Sequence, residues 1–266
     1  MKSNWVFLLV AGLLVSSCVA PNAGKGTVGG LQSGAGSGSG AESNSGTPTA
    51  GSATGGVPTP TPSSPSGSGT AHLPPGQILD SAGFPSCLSA DADHYCLALK
   101  VVAFQDDQGV PVLTEAQAVS LVTGINHVWS QCNLGFQLED YQSVDPDFYD
   151  LSYDSDWQND GDQIRSVFQD ANKFVVIGVG SLTGSTIAVT EMPGASVFGT
   201  LVEKSFVTNP LTVGHELGHY QGLYHVNDTT NLLNPYIGSN TSSLTASQCA
   251  IARSTDLSDW TAMRRQ

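Results

Sequence analysis

Basic residues are scarce in this chain of 266 residues: nine Lys and Arg stand against 23 Asp and Glu, a formal net charge of −14 at pH 7. A nucleic-acid-binding protein needs a cationic face for the phosphates, and this composition does not provide one. No Cys-x-x-Cys pair occurs either, which argues against a metal site built from cysteines and histidines together. We therefore expect no nucleic-acid partner and no metal site of that kind.

The apolar run at the start of the chain, Trp5 to Val15, is too short to cross a membrane as a helix. It follows a positively charged start at Lys2 and ends in Val15-Ser16-Ser17-Cys18, which resembles a bacterial lipobox. We therefore predict a lipoprotein signal peptide over residues 1–17 and lipidation of Cys18, which would anchor the protein in the membrane. Val19 favours the outer membrane or the cell surface of the bacterial envelope. The alternative is an ordinary secretory signal in which Cys18 has no role.

Residues 18–75 are mostly Gly, Ser, Thr, Ala and Pro, with almost no charge and few apolar side chains. Such a segment cannot bury enough surface to offset the entropy lost on ordering. We predict a disordered tether here; a pro-segment that blocks the active site is the rival interpretation and has little support in this composition. Residues 76–266 are then one folded domain, long enough for a single core.

The periodicity of this domain predicts a mixture of strands and helices, and so an α+β fold. A capping box at Thr114 and Gln117 begins the first helix, and Thr245 with Gln248 begins the last. We expect Ile164, Val167 and Phe168 to be the buried residues of a short middle helix. The predicted strands are 95–104, 134–141, 174–179, 185–190 and 197–207, and the first and middle helices are 114–131 and 160–171.

The most informative stretch is Val213-Gly214-His215-Glu216-Leu217-Gly218-His219-Tyr220-Gln221-Gly222-Leu223-Tyr224-His225. On a helix begun by Asn209 and Pro210, His215 and His219 lie on one face, where two imidazoles can bind Zn²⁺. Glu216 projects beside the metal, where it can take a proton from water. Gly222 can end the helix with a positive φ, which would bring His225 back as a third ligand.

The alternative interpretation is a buried helix whose histidines only satisfy hydrogen bonds. The combined spacing of two histidines, glycine and a further histidine makes zinc binding the favoured one. Gly214, Gly218 and Gly222 form a bare stripe at four-residue spacing, which predicts that another segment packs closely against the helix.

These residues resemble the signature of the metzincin zinc peptidases, His-Glu-x-x-His-x-x-Gly-x-x-His. The resemblance implies His215, His219 and His225 as ligands, Glu216 as general base and a metzincin-like fold with a twisted mixed sheet, an active-site helix and a C-terminal helix. Asn231-Leu232-Leu233-Asn234-Pro235 resembles the family's Met-turn at matrixin spacing, with Leu233 in place of the methionine and of similar volume. Gly222, Leu233 and Pro235 would then support the site. The resemblance also implies an extended peptide substrate along the edge strand near 186–191.

If Cys18 is lipidated, four cysteines remain in the exported domain, and they allow three disulfide pairings. We favour Cys87–Cys96, which closes a short loop, and Cys132–Cys249, which joins the end of the first helix to the last one. Some of the four could instead be buried thiols.

An acidic segment is the remaining feature of note. Its carboxylates could bind Ca²⁺, although their spacing does not fit an EF-hand, and a solvated acidic loop explains them as well. His72, His94 and His127 have no partners at ligand spacing, and we expect them to be structural or exposed. The acidic residues are Asp145, Asp147, Asp150, Asp154, Asp156, Asp160 and Asp162.

We predict a zinc-dependent endopeptidase that acts as a monomer on protein or peptide substrates and is tethered to the bacterial envelope. One alternative is a catalytically silent lipoprotein that keeps the zinc fold for adhesion or binding; Glu216 argues against it, because metal binding does not require that carboxylate. The other is a zinc hydrolase for a non-peptide bond, which the motif alone does not exclude.

Overall fold

The computed structural model of the protein describes residues 87–89 and 91–265. The predicted signal peptide, Cys18, the tether and His72 lie outside these residues. None of the helices in the described part is long and apolar enough to cross a membrane.

The domain is built on a mixed, mostly parallel sheet whose strands lie in the order β2-β1-β3-β5-β4, with β6 paired to the start of β1. The pairs β1–β2, β1–β3 and β3–β5 are parallel, whereas β4 runs antiparallel to β5 and β6 antiparallel to β1. The strands are β1 Tyr95–Phe104, β2 Leu134–Val144, β3 Phe174–Val179, β4 Ala188–Thr190, β5 Thr200–Glu203 and β6 Arg264–Arg265.

In the described part of the chain, four α-helices accompany the sheet: α1 Glu115–Trp129, α2 Gly161–Phe168, α3 Pro210–Tyr220 and α4 Ala246–Ser258. Parallel strands need crossover connections, and α1 and α2 supply those from β1 to β2 and from β2 to β3. Alternate residues of β1 enter two different clusters: Leu99 and Val101 pack with residues of α1 and α3, while Val102 packs with residues of α2. The sheet is therefore buried on both faces, and α3 shares a layer with α1.

The capping boxes at both predicted helix starts are present. The Thr114 hydroxyl accepts a hydrogen bond from the Gln117 backbone N–H, and the Thr245 hydroxyl accepts one from that of Gln248. In return, each glutamine side chain accepts a hydrogen bond from the backbone N–H of its threonine. β1 and β3 have the predicted bounds, β3 lies in the middle of the sheet, and β4 lies at one edge.

Two local predictions were wrong. Val167 of α2 is 40% exposed, and its expected place is taken by Arg165, which is only 2% exposed. The single strand expected over 197–207 is limited to Thr200–Glu203. It stops there because the Glu203 carbonyl accepts hydrogen bonds from the backbone of Phe206 and Val207, which forms a turn.

Both disulfides of the favoured pairing are present. Cys87–Cys96 ties the chain before β1 to that strand, and Cys132–Cys249 joins the short 3-10 helix after α1 to α4. The second bond connects residues 117 positions apart, so it closes a long loop next to the layer that contains α3.

Candidate metal centre

Capping interactions at both ends determine where helix α3 begins and ends. The Asn209 side chain accepts from the Leu211 backbone at 2.9 Å, and Pro210 occupies the first turn. At the other end Gly222 has a φ of +78°, its N–H donates to His219 O at 2.9 Å, and Leu223 N–H donates to Gly218 O at 3.0 Å. These two bonds are those of a Schellman motif, which needs the positive φ that glycine adopts without strain. The chain therefore reverses directly after the helix.

This reversal brings His215, His219 and His225 together. Their Nε2 atoms are 3.1 Å apart between His215 and His219, and 3.2 Å apart in each of the other two pairs. The two helical histidines are buried and His225 is half-buried. Within the described residues, this is the group of at least three potential ligands that could hold a metal ion.

Backbone carbonyls fix how two of these rings point. The Nδ1 of His215 donates to Leu232 O at 2.6 Å, and the Nδ1 of His219 donates to Leu223 O at 2.7 Å. Because a carbonyl oxygen only accepts, Nδ1 carries the proton in both rings and Nε2 keeps its lone pair. Such hydrogen bonds orient the histidines of metal sites.

The electrostatics keep the three rings neutral. Burial is the largest cause and lowers the pKa of His215 well below its usual range, with the neighbouring His219 adding to the effect. Burial lowers the pKa of His219 to about 4 and also lowers the pKa of His225. At neutral pH all three imidazoles therefore have a free nitrogen lone pair, the form that binds a metal.

These features fit a divalent zinc ion. Two nitrogens bound tetrahedrally at roughly 2.0–2.1 Å are about 3.3–3.4 Å apart, and the observed separations are 3.1–3.2 Å. The Nε2 lone pairs of His215 and His219 are unprotonated, and His225 Nε2 lies 3.2 Å from both, so a cation between the three rings could accept a lone pair from each.

The turn at 231–235 lies against the site. Leu232 O accepts from His215, and Leu233 O accepts from Val226 N at 3.0 Å, so the turn holds both the helix and the segment that carries His225. Leu233 is fully buried, and Pro235 is half-buried at the end of the turn. Asn231 secures the turn through two amide hydrogen bonds to the Gln248 side chain in α4, of 2.8 and 3.0 Å.

The glycine stripe explains how these parts approach one another. A Cβ added at Gly218 would lie 3.2 Å from Leu233 and 3.5 Å from Trp129 of α1, whose indole N–H donates to Gly214 O at 3.1 Å. The prediction of a segment packed closely along the stripe is confirmed. A Cβ added at Gly222 would lie 3.1 Å from the Thr255 hydroxyl oxygen of α4.

Glu216 is fully buried, and its carboxylate accepts a hydrogen bond of 2.7 Å from the Thr190 hydroxyl of β4. Sequence reasoning did not identify Thr190, nor the carbonyls of Leu232 and Leu223. Carbonyl groups have no sequence signal, and the position of Thr190 depends on how the edge strand faces the helix.

The acidic segment serves turns and caps. Asp145 accepts from the backbone of Asp147, Asp154 from that of Ser181, and Asp156 from that of Gln158. Within residues 87–89 and 91–265 these aspartates do not form a group of three ligands, so nothing described here supports a calcium site. His94 is bonded to the Asn133 side chain at 3.0 Å, and His127 is exposed.

No protein-family model matches this chain, and no curated protein matches it. Among solved structures, the crystal structure of metalloproteinase-II from Bacteroides fragilis is similar, with 14% sequence identity over 60% of this chain and a TM-score of 0.40. The match covers 53% of that structure, so this chain spans about half of its length. A likeness at this level assigns no family, and the function has to be argued from the site itself.

Proposed function

We propose that this protein is a zinc-dependent endopeptidase with His215, His219 and His225 as metal ligands and Glu216 as general base. The observation that carries the proposal is the convergence of the three Nε2 atoms to within 3.2 Å of one another. The metzincin signature in the sequence supports it, because that arrangement of histidines is combined with a glutamate on the same helix.

Zinc bound there would act as a Lewis acid, polarising a carbonyl group and making water easier to deprotonate. The chain contributes the proton transfers. The Glu216 carboxylate accepts a proton from the attacking water and donates it to the nitrogen of the leaving amine. Its burial excludes bulk water, which would otherwise compete for the same hydrogen bonds.

The edge strand β4 is the proposed place for the substrate. Glu203 N–H donates to Ile187 O, and the backbone groups of every second residue of β4 face β5, so Val189 is the next residue that faces it, opposite Leu201. The backbone groups of Ala188 and Thr190 therefore point to the other side of β4, where the described residues contain no further strand. An extended peptide could add to them as a further strand. Ala188 is 0% and Thr190 3% exposed, so the groups that shield these two residues from solvent have to move before a peptide can pair with them.

The test is digestion of a peptide library by the zinc-loaded full chain, its chelated form and two variants. Glu216→Ala should retain its zinc and lose activity by about 10²- to 10⁴-fold, as expected for loss of a general base. Glu115→Ala, which removes an exposed carboxylate from the start of α1, should be as active as the wild type.

Equal proteolysis by wild type and Glu216→Ala would refute the mechanism. A parallel panel of ester and amide substrates separates the alternatives. Activity confined to that panel would indicate a non-peptide hydrolase, and no turnover of any substrate would favour the binding lipoprotein.

We further propose that residues 18–75 tether the domain to the bacterial envelope through lipidated Cys18, favouring the outer membrane or the cell surface. The lipobox-like Val15-Ser16-Ser17-Cys18 supports this proposal. In cells fed a labelled fatty acid, the wild type should carry the label and sediment with membranes, and Cys18→Ser should do neither. Membrane association that survives the substitution would refute the anchor.

A further inference from the structure

Two threonines connect Glu216 to the last two strands at one edge of the sheet, β4 and β5. Thr190 in β4 lies directly opposite Thr200 in β5, and their hydroxyl oxygens are 2.7 Å apart. The Thr190 hydroxyl is also 2.7 Å from Glu216 Oε2. All three residues are buried, at 3%, 0% and 0% exposed.

The direction of these hydrogen bonds follows from the number of protons. A hydroxyl group has one proton, and Glu216 in the ionised form that a general base requires has none to give. Thr190 must therefore donate to Glu216, and Thr200 must donate to Thr190. The result is an ordered chain from Thr200 through Thr190 to the carboxylate, in which each bond polarises the next.

The sheet holds this chain rigidly. Thr190 and Thr200 face each other at a pair without backbone hydrogen bonds, where side chains are closest, and threonine is stiff about χ1. Glutamate by contrast has three rotatable bonds, and a base that is misplaced by about 1 Å can lose a factor of 10² in rate. A fixed hydrogen-bond donor at the carboxylate thus restricts the conformations of Glu216, the flexible side chain whose position matters most for proton transfer.

We propose that Thr190, backed by Thr200, is a positioning residue that holds the Glu216 carboxylate in the orientation needed for proton transfer. The inference rests on the proposed function. It assigns a second purpose to β4, which would then align the general base through a side chain as well as the substrate through its backbone.

The kinetic test uses Thr190→Val, which keeps the shape and removes the hydroxyl, and Thr190→Ser, which keeps the hydroxyl. In the zinc-loaded full chain, Thr190→Val should lower kcat by about 10- to 100-fold with KM changed less than about 2-fold, and Thr190→Ser should recover most of the loss. Thr200→Val should have a smaller effect of the same kind. Zinc content should be equal in all variants.

Thr212→Val is the matched control. Thr212 is a fully buried threonine of α3 whose hydroxyl has no hydrogen-bond partner among the described residues, and its replacement should leave kcat unchanged. A Thr190→Val variant with wild-type kcat would overturn the proposal. So would a Thr190→Ser variant as slow as Thr190→Val, because shape rather than the hydroxyl would then matter.

A second measurement does not depend on activity. A double-mutant cycle of Thr190→Val and Glu216→Ala on the urea unfolding of the metal-free protein should show coupling, because Thr190→Val should lower the midpoint more when Glu216 is present than when it is absent. Additive effects would refute the hydrogen bond itself. A wild type that hydrolyses no peptide would instead refute the proposed function and the catalytic purpose of Thr190 with it, whatever the cycle shows.

Discussion

The carboxyl group of Asp256, in α4, offers the clearest energetic prediction. Asp256 is 0% exposed, and neither of its oxygens has a hydrogen-bond partner within residues 87–89 and 91–265. Arg253 and Arg264 lie nearby but stack on the ring of Tyr95, at 3.9 and 4.0 Å from its centre. Burial therefore outweighs their attraction and raises the pKa of Asp256 to about 8 from an ordinary value of 3.8.

The sign of the effect on stability follows from proton binding. Between about pH 4 and pH 8 Asp256 keeps its proton in the folded chain and loses it in the unfolded chain. The resulting stabilisation of the folded chain is complete below the pKa of the unfolded state and is lost as the pH rises to the pKa of the folded state. One pKa unit corresponds to about 1.36 kcal/mol. The shift from 3.8 to about 8 is therefore worth about 6 kcal/mol over the whole range. Between pH 5 and pH 7 it amounts to about 3 kcal/mol.

The substitution Asp256→Asn keeps the size of the side chain and removes its titration. Both proteins would be unfolded with urea in the metal-free form at pH 5, 6, 7 and 8. The free energy of unfolding of Asp256→Asn minus that of the wild type should rise by about 3 kcal/mol from pH 5 to pH 7. The histidines of the site titrate in both proteins and cancel in this difference.

Asp107→Asn, which alters an exposed carboxylate, controls for the change in net charge. Asp256→Asn and the wild type should therefore differ in how their stability depends on pH, and the same dependence in both would rule out a raised pKa for Asp256. That result would mean that Asp256 is ionised when folded and that the two arginines compensate for its burial.

Three further predictions concern the site and its support. His225→Ala should weaken zinc binding by at least about 100-fold in competition with a chelator, and unchanged affinity would exclude a third imidazole ligand. Replacing Cys132 and Cys249 by alanine should lower the free energy of unfolding by about 4–5 kcal/mol, because the disulfide closes a loop of more than 100 residues; a thermal shift no larger than that of a surface variant would contradict this. Gly222→Ala should lower the free energy of unfolding by about 1–2 kcal/mol through backbone strain and should also weaken zinc binding. Gly109→Ala, at a similar φ and with no atoms nearby, should lower the free energy of unfolding without changing zinc affinity. Equal zinc affinity in the two variants would refute the coupling of the turn to the site.

The elements around the site could be predicted from sequence because their signals are local. The cap at Asn209, the spacing of His215 and His219, and the positive φ at Gly222 each depend on a few neighbouring residues. The nearly continuous apolar run Phe174–Val179 likewise predicted β3 as a central strand, and all six of its residues are buried.

What could not be predicted depends on distant partners. Periodicity assigned Val167 to the buried face of α2, but Arg165 is buried because its guanidinium donates to Gly199 O at 2.9 Å and pairs with Glu191 at 3.2 Å. Thr190 was missed for the same reason, because its role depends on the register of β4 with β5 and on the packing of α3. A single sequence does not specify these long-range pairings.

X-ray absorption on the zinc-loaded protein would show whether three imidazole rings hold one zinc ion. After dialysis we expect one zinc per chain with three nitrogen neighbours at roughly 2.0–2.1 Å, in the wild type and in Glu216→Ala alike. Zinc that is lost on dialysis, or retained with no imidazole nitrogen around it, would rule out the three histidines as the ligand set.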